Sequence, residues 1–153
     1  MNIKKRLLIA LFFFSITNLA LSQTRALDLE AAQKISDAAE ERARQDNWNV
    51  VIAILDEGGH LLALRRMDGT QVGSVEVAIA KAKTSVYFKR STKVFEDGAK
   101  SGNSHLMSLP NVVAVEGGLP IKDGDRVIGA IGISGVTSEQ DGIIAEAALK
   151  AWP

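Results

Sequence analysis

The sequence contains no cysteine and two histidines, His60 and His105, which stand in different segments. The missing thiols exclude disulfides, thiolate metal ligands, iron–sulfur clusters and a cysteine nucleophile. Two separated histidines do not suit a zinc site built from several imidazoles. The chain carries no P-loop, no G-x-S-x-G elbow and no H-E-x-x-H helix. Gly129, Gly132 and Gly135 give G-x-x-G-x-x-G, which is not the dinucleotide spacing. They also fall inside an apolar run rather than at a strand-to-helix turn. An excess of one charge is absent too, because 18 Lys and Arg balance 18 Asp and Glu. No internal repeat or low-complexity linker divides the 153 residues, and that length suits one domain.

A long apolar run is present at the N-terminus. Lys4, Lys5 and Arg6 precede an apolar block over 7–14, loosely extended to Leu21, and Ala20-Leu21-Ser22 supplies small residues at a cleavage site. A charged start, a short apolar core and an A-x-S end predict a secretory signal peptide over 1–22, cut before Gln23. Ser15, Thr17 and Asn18 break the stretch, which is short for a span, so no stable membrane anchor is expected after cleavage. A mature chain of about 131 residues, 23–153, is enough for one core, and its expected location is the periplasm or the medium. Cleavage removes three basic residues and leaves 15 against 18 acidic ones. That balance argues against a nucleic-acid partner. Without disulfides, an exported fold rests on its core and on oligomerisation.

Periodicity predicts the order α-β-β-α-(α)-β-β-β-α. A helix over 27–46 has Asp28 as N-cap and Leu29, Ala32, Ile35, Ala39 and Ala43 on one face. Residues 49–55 are apolar on both alternating faces, as in a strand covered from both sides. The turn 56–60 joins them to a strand over 61–66 and leaves His60 in solvent. Ser74 is the expected cap of a second helix with Val75, Ala78, Ile79, Ala82 and Val86 on its face. A short helix fits 92–100, an irregular polar stretch covers 101–109, and a short strand is expected at 112–115. The central feature is a hairpin over 117–135, with Lys122-Asp123-Gly124-Asp125 as its turn. Its second strand is so rich in small residues that something must approach its backbone, and tight helix-on-sheet packing is expected. Ser138 and Asp141 read as a capping box opening the last helix. Hairpins dominate and regular βαβ alternation is missing. The expectation is an α+β fold: an antiparallel, about five-stranded sheet with packed helices.

Single residues supply the candidate chemistry. His105 is a candidate haem-iron ligand, with Met107 and Tyr87 as weaker axial candidates. Arg66, Lys81 and Lys83 suit ligand carboxylates such as haem propionates, or else ion pairs with acids such as Asp68 or Glu76. Glu116 is an acid, a base or a solvated strand end. The backbone amides at Gly117 and Gly118 form a candidate nest for an anion.

Four stretches together carry a resemblance. They are VIAILDEGG running on into LLALRRMDG, then AIAKAKTSVYF, then LPNVVAVEGGLPI, and IGAIGISGVTSEQD before the last helix. In this order they resemble the GlcG/HbpS-type family of haem-degrading or haem-binding domains, over residues 27–152. Positions matching the shared motifs are Asp56, Gly58, Gly59, Arg66, Asp68, Lys81, Gly117, Gly118, Pro120, Gly129, Gly132, Ser134, Gly135 and Asp141. The resemblance implies a profilin- or sensor-domain-like fold and homo-oligomers that are often octamers. It also implies activities that vary, some members binding haem, some degrading it and others having no settled activity; haem is the cofactor it offers. It supplies no axial ligand at a matching position. The leading expectation is an exported haem-binding protein with slow haem degradation at most. Its pocket would lie between subunits near 101–118, with His105 on the iron and Arg66 or Lys83 near the propionates. The alternatives are a carrier or sensor of a small organic acid using the Gly117 and Gly118 amides, and an enzyme with Glu116 or His105 as general base.

Overall fold

The computed structural model describes residues 26–152, so the signal-peptide expectation lies outside the described residues. Helix α1 (Leu29–Gln45) is followed by strands β1 (Val51–Asp56) and β2 (Leu61–Arg66), then by helices α2 (Ser74–Phe88) and α3 (Lys93–Lys100). A 3-10 turn (Ser104–Ser108) leads into strands β3 (Gly118–Asp123) and β4 (Arg126–Ser134), and helix α4 (Ser138–Leu149) closes the fold. The strands form one antiparallel sheet in the order β2-β1-β4-β3. Two local hairpins are thus joined at a β1–β4 seam.

The α+β expectation holds, with four strands rather than five in the sheet of the described residues. Residues 112–115 do not join the sheet. Asn111 takes a left-handed backbone, φ 61°, and the Val113 amide donates to Thr84 Oγ1 at 2.9 Å. The same hydroxyl lies 2.9 Å from the Asn111 carbonyl oxygen. A side chain of α2 therefore takes the hydrogen bond that a neighbouring strand would have made.

The sheet separates two cores. On one face, Ile52, Ile54, Ile131 and Ile133 pack with Ile35 and Ala39 of α1 and with Ile144 and Ala148 of α4. On the other, Val51, Ala53, Leu55 and Ala130 pack with Ala78, Ala82 and Val86 of α2. This explains why β1 is apolar throughout. It also explains the small residues of β4: a Cβ at Gly132 would meet the carbonyl oxygen of Ala78 and lie 2.7 Å from the amide nitrogen of Ala82. Helix α2 sits against the backbone of β4, as the glycine pattern predicted.

The caps differ in detail from the sequence reading. Asp28 caps α1, accepting from the Ala31 amide at 2.8 Å. Ser74 is instead the first residue of α2, behind Gly73, with no side-chain cap bond. The capping box of α4 belongs to Thr137 and Gln140. Asp141 is drawn inward instead, by Lys81.

Candidate functional site

Lys81 and Asp141 form an ion pair at 2.7 Å, with their side chains 1% and 2% exposed. Lys81 Nζ also donates to the Ile133 carbonyl at 3.0 Å, and the Val136 amide donates to Asp141 at 3.3 Å. Burial pushes the Asp141 carboxyl up to about 6, against the pull of Lys81 and of the Val136 and Gly135 amides. Lys81 is therefore not free for a ligand, and its partner is neither Asp68 nor Glu76.

Gly117 and Gly118 wrap this pair. A Cβ at Gly117 would lie 2.9 Å from Lys81 Nζ, and the position has φ +125°. The Gly118 amide donates to Thr92 Oγ1 at 2.9 Å, and the Glu116 amide donates to a Glu96 carboxylate oxygen. The amides flanking Gly117 are thus engaged inside the chain rather than presented to an anion. Glu116 itself pairs with Lys93 at 3.0 Å and is 13% exposed. It borders a cleft of about 580 Å³ between α3 and the start of α4. Four glutamates and two lysines line this cleft, and Lys100 pairs with Glu96 within it. Burial opposes the charge on Glu96, yet Lys100, the Glu116 amide and Ser138 together hold its pKa below the usual carboxylate range. The cleft's acidic excess suits neither a porphyrin nor an organic anion.

Arg66, Lys83 and Tyr87 fall on another side of the molecule, along the edge strand and the adjoining flank of α2. Residues opposite one another across an antiparallel pair share a face, so Leu61, Leu64 and Arg66 of β2 share the face of Leu55, Ala53 and Val51. Helix α2 covers that face over β1, β4 and β3 and leaves β2 largely open. Leu61 and Leu64 are 49% and 41% exposed there. The helix rotates its residues accordingly. Ala78 and Ala82 abut Gly132, Lys81 abuts Gly118, and Tyr87 lies against Gly59 in the β1–β2 turn. Ile79, Lys83 and Tyr87, spaced four apart, hence mark the flank nearest β2.

The result is an apolar strand face, Leu61 and Leu64, with α2 along its inner side and the sheet edge open on the other. Arg66 and Lys83 add cations to this one-sided trough. Neither cation has an ion-pair partner among the described residues. Its neighbour Arg65 faces α1 on the opposite side of the sheet and is pinned by Asp37 and Glu40, both at 2.7 Å. The open floor was missed from sequence. Its signal is an apolar residue on each face of LLALRR, in a strand that turns out to be an edge.

His105 lies on the other flank of α2. The 3-10 turn packs on α3 through Leu106, which a Cβ at Gly98 would strike. Thr84 and the Phe88–Phe95 ring pair tie that region to the same flank. His105 and Met107 are exposed there, Met107 by 59%. Within one protomer, Lys83 and Tyr87 therefore stand on the β2 flank of α2, with Arg66 at the far end of β2, and His105 on the other flank. His60 is exposed in its turn, its Nδ1 3.4 Å from Asp56. Among the described residues, no group of three or more His, Cys, Asp or Glu is placed to hold a metal ion.

Fold and trough define a two-faced α+β domain with one strand face left open beside a helix. The chain belongs to the family described as haem degrading protein HbpS-like, whose model matches residues 27–150. Protein GlcG of Escherichia coli K12 is 38% identical over 108 residues, covering 71% of this chain and 81% of that protein. A structure described as the PduOC:heme complex is 34% identical with TM-score 0.75, covering 83% of this chain and 95% of that one. A double mutant of HbpS from Streptomyces reticuli is 29% identical with TM-score 0.78, covering 87% and 91% of the two chains.

Proposed function

We propose that the protein is an exported haem-binding protein that works as a homo-oligomer, with the octamer as the candidate assembly. The observation that carries the reading is the trough: an apolar strand face beside two unpaired cations, in a chain whose relative was solved with haem. Haem needs both features, since its ring is apolar and its propionates are anionic. Burying exposed leucine surface is worth about 25 cal/mol per Å², and charge-assisted bonds from Arg66 and Lys83 would orient the propionate edge. Haem, once bound, supplies its own redox chemistry, so any degradation would be slow and driven by the cofactor. The chain's residues bind and orient. Export is supported by the charged, apolar and small-residue pattern of 1–22.

The test is a haemin titration of the purified protein followed across the Soret region. A sharp, saturable band at no more than one haem per subunit is expected, and Arg66→Ala with Lys83→Ala should weaken it. Haemin behaving as it does with an unrelated protein would remove this reading. Small organic acids would then be tested by thermal shift.

A further inference from the structure

Resting on the haem reading, we propose that Tyr87 binds the haem iron through its phenolate oxygen. Tyr87 stands at the hairpin end of the trough, on the flank of α2 that carries Ile79 and Lys83. It is 45% exposed, and its hydroxyl has no protein hydrogen-bond partner among the described residues. The ring is nevertheless seated. A Cβ at Gly59 would lie 2.7 Å from the Tyr87 hydroxyl oxygen, and Gly59 has φ +80°. A side chain there would be strained and would displace the ring. A glycine in the turn thus holds an oxygen donor at the mouth of an apolar trough.

Lys83 is placed to match. It precedes Tyr87 by one helical turn, whereas Arg66 closes the far end of β2, five strand steps or roughly 17 Å from Leu61. Iron at Tyr87 would therefore leave the propionates over the trough, on the side of Lys83, with Arg66 beyond them. The other donors face elsewhere: His105 and Met107 lie across α2.

The chemistry balances without a co-reactant. As the oxygen–iron(III) bond forms, the phenol proton passes to solvent and no electron moves. An anionic oxygen donor favours ferric over ferrous iron, so the site should hold haemin and lose grip on reduction.

The protein loaded with haemin tests this by its absorption spectrum. Wild type should show phenolate-to-iron charge-transfer absorption that fades with dithionite. Tyr87→Phe, which keeps the ring, should stay folded by thermal melting, lose that absorption, and bind haemin at least about tenfold more weakly. Gly59→Ala should perturb the same band, and His105→Ala should leave it intact. If wild type binds haemin but Tyr87→Phe keeps its spectrum, or His105→Ala abolishes it, Tyr87 is not the ligand and the haem reading stands. If wild type does not bind haemin, both fall.

Discussion

Taking Lys81 and Asp141 out of water costs several kcal/mol per ion. Their contact at 2.7 Å and the Ile133 carbonyl offset that cost. Breaking such a pair is expensive because the survivor stays buried. Lys81→Met should lower unfolding free energy by roughly 3–5 kcal/mol, read from urea transitions, and adding Asp141→Leu should recover much of the loss. A single variant as stable as wild type would show that the pair carries no stability. The pH dependence has a definite sign. Asp141 has its pKa raised from 3.8 to about 6 by burial, so between those values the native state holds a proton that the unfolded chain releases. This contribution is full below the unfolded value and is lost as pH rises through about 6. Relative to Asp141→Asn, wild type should gain stability as pH falls from about 7 to about 5, checked by urea midpoints at both ends. Both residues stand in the recognisable motifs, yet their pairing joins α2 to α4 and no local spacing announces it.

Elements were legible where one face of the sequence meets one layer of the fold. The α1 stripe from Ala32 to Ala43, the doubly apolar β1 and the small residues of β4 each report a local surface and form as expected. Leu29, expected on the same stripe, is instead 53% exposed in the first turn, where Ala31 is buried in its place. The strand expected at 112–115 failed because a single hydroxyl, Thr84, competes for its backbone. The caps at Ser74 and Ser138 failed by one residue, where Gly73 and Thr137 hold the cap positions. The close approach of α2 to β4 makes a sharp prediction. Gly132→Val must push against helix backbone at Ala78 and Ala82, and should destabilise by roughly 1–3 kcal/mol or more. Gly73→Ala, with nothing within 4 Å and a helical φ of −61°, should stay within about 0.5 kcal/mol of wild type. Thermal melts of the two, run side by side, would expose any error in the α2 position.

For the whole molecule, fold class follows from hairpin order, whereas the trough follows from strand order. Whether β2 ends up at an edge depends on which strand pairs with the far side of β1, and that is a tertiary outcome. Arg66, Lys83 and Tyr87 could thus be picked one by one from their types, while their shared face could not, nor their separation from His105. The export proposal is checked by intact mass: material collected outside the cytoplasm should begin at Gln23, and a retained N-terminus would refute cleavage there. One further consequence lies in the β1–β4 seam. Val51 pairs with Ser134, so more than half of the chain separates these two partners. Each hairpin closes a short loop, whereas the seam must close a very long one before its contacts reward it. Folding speed should therefore be governed by that single meeting. Until it occurs the isoleucines of both hairpins stay uncovered, and chain concentration decides how often they find each other instead.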